Sequence, residues 1–311
     1  MKVQQKRELC FFTHFQKFIR DSKTGKRLQP NGKRLSEGTI KNYIATQKLL
    51  QRFSTAKDFA LRIRQERHLN ARETKTENNY WKKFYRQFLD YLYNDCGFYD
   101  NYTGQNIKNL KVFFNYLNRD MALGISPFHK QFYVPKEEIA IFPLMPEELN
   151  YFIYNQEFEK SLTARMQQVK DVFVFGCTVA LRVSDLLALK KTNLRVYPNA
   201  HYLSVRSIKT NTESLIKLPD YAITILAKYQ KSKKGLLPLF NKSNLNNYIK
   251  LLLEVGGFVR ELDVIREKKG KTTVLRKRAQ NNRKTYRFCD VASTHTMRRT
   301  AITTMLCLGM P

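Results

Sequence analysis

Long apolar runs are missing from this sequence. No stretch approaches the ~20 residues of a membrane-spanning helix, and the opening Met-Lys-Val-Gln-Gln-Lys does not read as a secretory signal. The expectation is a cytoplasmic protein with no place in a membrane. Cysteine is sparse as well: Cys10, Cys96, Cys177, Cys289 and Cys307 are odd in number, scattered, and nowhere spaced as C-x-x-C. That pattern argues against a disulfide framework and against a zinc site. Free thiols in a reducing compartment fit better. The third shortage is of negative charge. Asp and Glu number 26 against 56 Lys and Arg, a formal net charge of +30, which calls for a polyanionic partner. With no membrane anchor in view, nucleic acid is the first expectation.

What is present is enough for a folded protein of more than one domain. The chain has 311 residues, 42% of them hydrophobic, ample for two cores. Its first 120 or so residues read as helices. Leu9 to Ile19 places Leu9, Phe12, Phe15 and Ile19 on one face, and Ser36 is placed to cap a second helix that turns Ile40, Tyr43, Ile44, Leu50 and Phe53 inward. Lys41, Lys48 and Arg52 point elsewhere on that helix. A short third element spans roughly residues 57 to 67. Trp81, Phe84, Tyr85, Phe88, Tyr91 and Leu92 recur at helical spacing, as do Ile107, Leu110, Phe113, Phe114 and Leu117. These aromatics read as core, with base stacking the minor use.

Residues 123–143 change character and read as a linker, with Gly124, Pro127, Pro135 and Pro143 breaking short mixed runs. Pro146, Glu147 and Glu148 then suit the first turn of a new helix. Val169 to Leu181 is apolar on nearly every side, a buried helix ending in Leu181-Arg182-Val183-Ser184-Asp185. An arginine there needs a partner, and Asp185 is the near one. Tyr202 to Ile208 and Leu215 to Leu218 read as a hairpin with Lys209 at its tip.

Near the other end, Ser293-Thr294-His295-Thr296-Met297-Arg298-Arg299 brings an imidazole and a guanidinium onto one helical face, with Ser293 or Thr294 as cap. Such a pair combines a proton carrier near neutral pH with a bidentate phosphate ligand. On its own it also fits a basic surface helix.

Leu-Arg-x-Ser-Asp-Leu-Leu at Leu181, then Ile-Lys-Thr at Ile208, then His-x-x-Arg-Arg-Thr at His295, in that order, resembles the tyrosine recombinase (phage integrase) family of phages and conjugative mobile elements. Phe15 to Ile19 and Ser36-x-x-Thr39-Ile40-x-x-Tyr43 are similar to its helical core-binding domain. The resemblance implies a multidomain fold: an all-α, SAM-like core-binding domain over residues 1–122, the linker 123–143, and a mixed α+β catalytic domain from 144. It implies site-specific DNA recombination or integration on double-stranded DNA, as a homo-oligomer, with no metal or nucleotide cofactor. Arg182 and Arg298 would clamp the scissile phosphate, Lys209 would protonate the leaving 5′ oxygen, His295 would transfer a proton, and Asp185 would orient Arg182. Two guanidiniums suit the charge that gathers on a phosphodiester under attack.

Further DNA contacts are expected from Lys41 and Lys48 and from a basic stretch between residues 266 and 287. That stretch carries ten cations against Glu267 alone, among them Arg276, Lys277, Arg278, Arg283 and Lys284. The chain departs from the family pattern in two places. Val179-Ala180 stands where many relatives have Thr-Gly, and no tyrosine follows His295 where the family places its nucleophile. The expectation is a catalytic domain incomplete at its C-terminal side, with no nucleophile in the chain, inactive alone. The alternative is a DNA-binding protein derived from a recombinase without strand transfer; an RNA-binding protein explains the charge but not the three ordered anchors.

Overall fold

A computed structural model describes residues 8–66, 69–231, 235–277 and 284–310. They divide into two compact units, Met1–Glu138 with Arg266–Thr273, and Ile139–Ile265 with Val274–Pro311.

The first unit contains β1 (Glu8–Cys10), α1 (Phe11–Thr24), α2 (Glu37–Ala56), β2 (Arg62–Arg64), α3 (Ala71–Asp90) and α4 (Asp100–Arg119). Its helices begin where side-chain oxygens relieve the unpaired first N–H groups. Ser36 Oγ accepts from the Thr39 N–H at 3.2 Å, and Asn70 and Glu73 close a reciprocal capping box on α3 with both bonds at 2.9 Å. Phe11, Phe15 and Phe18 of α1 join Phe53, Trp81, Phe84, Phe88, Phe113 and Phe114 in a core of buried rings. Trp81 stacks on Phe128 at 4.4 Å, and its Nε1–H donates to Glu77, which also takes a bond from Arg62.

The inward face of α1 is thus rotated from the expected one. Phe11 and Phe18 are buried while Phe12 and Ile19 are only partly so, and Leu9 lies in β1. The region read as a third helical element holds a strand instead, because β2 pairs antiparallel with β1, Leu9 opposite Ile63. Residues 123–138, read as linker, pack on this unit. Ile125, Phe128 and Phe132 enter its core around a 3-10 helix at Pro127–Gln131.

The second unit contains α5 (Pro146–Tyr154), α6 (Gln156–Ser161), α7 (Ala164–Val179), α8 (Val183–Leu187), β3 (Leu194–Tyr197), β4 (Ala200–Arg206), β5 (Glu213–Leu218), α9 (Asp220–Lys228) and α10 (Lys242–Val255). Further along the chain it also contains β6 (Glu261–Leu262), β9 (Tyr286–Arg287), α11 (Phe288–Val291) and α12 (Thr294–Cys307), with β7 (Ile265–Lys268) and β8 (Lys271–Val274) between β6 and β9 in sequence. Helix α7 is the buried centre, with Val169, Val172, Phe173, Val174 and Phe175 at 1% exposure or less. Its two buried charges are paired where they enter that core, Lys170 with Glu159 at 2.8 Å and Asp171 with Lys228 and Tyr229. Strands β3, β4 and β5 form an antiparallel sheet in that order, Arg206 opposite Glu213 at the tip. The β4–β5 hairpin is the expected one; β3, a short edge strand in a polar stretch, is an addition.

The β7–β8 hairpin belongs almost wholly to the first unit. Arg266 bonds both oxygens of Glu137 at 2.9 and 2.6 Å, and the Glu267 N–H adds a third bond at 2.8 Å. The N–H groups of Lys269 and Gly270 reach the Asp100 carboxylate at 3.0 and 3.2 Å.

Candidate active site and nucleic-acid interface

The end of α7, the start of α12 and the β4–β5 turn meet around a cavity of about 230 Å³. Helix α12 can lie close against α7 because Gly176 offers no side chain there; a Cβ at that position would stand 2.5 Å from Met297 Sδ. One turn on, Ala180 ends α7 in the left-handed conformation, φ +54°, and Arg298 Nη1 donates to its carbonyl at 2.7 Å. Ser293 caps α12 by accepting from the His295 N–H at 3.2 Å, and the Thr294 N–H donates to Asn246 of α10 at 2.8 Å. Lys242, at the first position of α10, thereby stands beside His295.

Arg182, Lys209, His295 and Arg298 all line this cavity, with Lys242 as a fifth basic group and Thr294 between. Among the described residues, no carboxylate and no tyrosine lines it. Partial burial, then the charges of Arg299, Lys242, Arg298 and Arg182, hold the His295 imidazole below the ordinary histidine range. At neutral pH it is therefore uncharged and able to accept a proton. An anion of one or two charges with oxygens pointing several ways is what such a hollow suits.

The Asp185 carboxylate stands behind Arg182 and reaches its guanidinium through a hydroxyl, not by a direct ion pair. Arg182 Nη1 donates to Ser207 Oγ at 3.1 Å, and Ser207 Oγ donates to Asp185 Oδ2 at 3.1 Å. The other oxygen, Asp185 Oδ1, accepts the Ile208 N–H at 3.1 Å. Ser207 and Lys242 were not singled out in the sequence. Ser207 lies two residues before Lys209, which is a usable signal; Lys242 is one cation among many and carries none.

The chain as a whole, folded, can be set beside known structures. Its sequence matches no protein-family model and no curated protein. Solved structures do match. XerH site-specific recombinase in a post-cleavage complex with a palindromic difH substrate aligns with 97% of this chain and 76% of its own, at 13% identity and a TM-score of 0.58. A lambda integrase tetramer bound to a Holliday junction aligns with 98% and 75%, at 11% and 0.57. The Tn1549 transposon integrase with transposon right end DNA aligns with 97% and 88%, at 14% and 0.58. The chain has the tyrosine recombinase fold.

On the recombinase fold the cavity's residues come from four separate elements, yet the expected basic surface is less uniform than its composition. Lys41 and Lys48 are exposed on α2, and Lys284 is exposed. Arg276 lies 3.7 Å from Asp263, and Lys277 pairs with Asp290 at 2.8 Å. Arg278 and Arg283 lie outside the described residues. Arg266, Lys269 and Arg287 each have a carboxylate within 4 Å, from Glu137, Asp90 and Glu254. Burial raises Asp290, but its bonds to Lys277 and Arg287 win and bring its carboxyl down to about 2. Five cations of this stretch, Arg266, Lys269, Arg276, Lys277 and Arg287, thus meet acids that lie outside it, which the local count of one glutamate concealed. Among the described residues no group of three or more His, Cys, Asp or Glu could hold a metal ion, and no helix is long and apolar enough to cross a membrane.

Ala180 accounts for the departure from Thr-Gly. The turn that ends α7 is left-handed at this residue, a conformation glycine takes freely, and here alanine adopts it against the clash of its Cβ. Ala180→Gly is expected to stabilise the chain by about 1 kcal/mol. Urea unfolding checks this; a loss of stability would mean the turn is held for another reason.

Proposed function

We propose that this chain is a site-specific DNA recombinase or integrase subunit that holds a phosphodiester of duplex DNA in the cavity of five basic residues and acts through a phosphotyrosyl mechanism. The observation that carries the reading is the convergence of Arg182, Lys209, His295 and Arg298 on one cavity free of carboxylates, on a fold otherwise seen in recombinases and integrases. Arg182 and Arg298 take the two non-bridging oxygens. A tyrosine oxygen attacks phosphorus, the P–O5′ bond breaks, and Lys209 delivers a proton to the departing 5′ oxygen, leaving a 3′-phosphotyrosyl bond. Uncharged His295 accepts a proton on the attacking side.

The cavity's lining has no tyrosine, and this favours a second reading for residues 1–311 taken alone: occupancy of DNA without strand transfer. Positioning an in-line nucleophile supplies a large part of the rate, so a clamp without one yields almost no cleavage. Duplex DNA should be bound in preference to RNA of the same length, with log K falling by roughly 0.9 per phosphate neutralised for each unit of log salt. On a nicked suicide duplex, residues 1–311 should form no covalent adduct. A flat salt dependence would remove the DNA reading, and an adduct mapped by mass spectrometry to a tyrosine of this chain would remove the second reading and name the nucleophile.

A further inference from the structure

The cavity's arginine and its lysine turn share one hydroxyl. A serine hydroxyl has a single proton and two lone pairs, an ionised aspartate only accepts, and a guanidinium only donates. The bonds at Ser207 can therefore run in one direction only, from Arg182 Nη1 to Ser207 Oγ and from Ser207 Oγ to Asp185 Oδ2. Among the described residues no carboxylate stands within 4.0 Å of the Arg182 guanidinium, so the charge of Asp185 reaches it across this hydroxyl. The same carboxylate takes the Ile208 N–H, so consecutive residues 207 and 208 are both fastened to Asp185. The turn beyond is closed on Ser207 from both sides. Its carbonyl accepts the Asn211 N–H at 2.8 Å, and its N–H donates to the Thr212 carbonyl at 2.9 Å. Lys209 hangs between these two fastenings with an exposed side chain and no acid partner among the described residues.

We propose that Ser207 is a positioning residue that sets the Arg182 guanidinium and the Lys209 turn in one fixed relation, so that a phosphate oxygen and its leaving oxygen meet both cations together. The inference rests on the reading of the cavity as a phosphodiester site. A direct Arg–Asp pair would satisfy both donors of the fork on the aspartate and leave the turn independent. The serine instead uses one donor of Arg182 sideways and leaves the rest of the fork toward the cavity. Nothing else in the turn could substitute, since Ile208 and Thr210 lie on its exposed side.

Two measurements test this, on the full chain. Phenylglyoxal labelling of Arg182, followed by mass spectrometry without DNA, should run roughly tenfold faster in Ser207→Ala than in the wild type, the size of effect expected for losing a hydrogen bond to a charged group. Ser207→Thr keeps the hydroxyl and should label at the wild-type rate. On duplex DNA, Ser207→Ala should lower the salt slope by roughly 0.9, one phosphate contact, and Ser207→Thr should restore it. Circular dichroism and urea unfolding confirm that each variant is folded. Equal labelling of wild type and Ser207→Ala, or of the alanine and threonine variants, overturns the positioning role. Faster labelling with an unchanged salt slope leaves the tie between Ser207 and Arg182 standing and overturns the phosphodiester reading of the cavity.

Discussion

Arg266→Ala will destabilise the helical unit by about 3 kcal/mol or somewhat more, the cost of leaving a buried charge without its partner. The Glu137 side chain is 0% exposed, and Arg266 supplies two of its bonds. The remainder come from the N–H groups of Glu267 and Asn101, which keep the loss at the lower end of the range. Pairing with Arg266, working against burial, holds the Glu137 carboxyl below the usual carboxylate range. Its folded pKa is lowered, so the stability it contributes is present above the unfolded glutamate pKa and lost as pH falls through the folded one. In Arg266→Ala that pH dependence should shrink, and Glu137→Gln added to it should recover part of the stability. Urea titrations at neutral pH and near pH 4 measure both. Wild-type stability in Arg266→Ala would show that the hairpin contributes nothing to the unit.

The second large effect belongs to Gly104 on α4. A Cβ built there would stand 1.9 Å from the backbone oxygen of Pro135, so the clash cannot be relieved by turning a side chain. Gly104→Ala should therefore cost about 3 kcal/mol, the upper part of the range for overpacking, even though alanine is the better helix former by about 1 kcal/mol. Segment 134–137 must move, and Glu137 moves with it. Its effect and that of Arg266→Ala should then fall short of additivity when combined. A thermal melt like that of the wild type would mean that the segment yields at no cost.

Much of the architecture could be read from residue types alone, and the parts that could not share a cause. Periodicity gave the α3 and α4 faces, and cap chemistry gave the starts of α2 and α12, because both depend on residues within one or two turns. The inward face of α1 was misread because Phe11, Phe12, Phe15, Phe18 and Ile19 offer two overlapping apolar stripes, and the rings of α2, α3 and α4 decide between them. Strand β2 is three residues long and exists through its pairing with β1, a contact with no local trace. Pro127 and Pro135 suggested a linker, but Phe128 and Phe132 find a core far back in the chain. Of the candidate site, Arg182, Lys209, His295 and Arg298 were singled out by ordered motifs, and they line one cavity. Ser207 was missed because a hydroxyl between an arginine and an aspartate is defined by three-dimensional distance. The pairing of Arg266 with Glu137 was hidden for the same reason.

The helical unit draws a piece of itself from far downstream. During synthesis Met1–Glu138 emerges well before Arg266–Thr273, and through all the intervening chain the carboxylates of Asp100 and Glu137 wait without the donors that later meet them. Contacts so distant in sequence form late, after the local helices and their aromatic core. The unit is thus completed by a returning strand pair, and its final rigidity arrives only once most of the second unit has been made. Residue 138, the last of the first unit's continuous stretch, is consequently a poor place to divide the chain: a fragment ending there keeps its rings packed and inherits buried acids with too few hydrogen-bond donors.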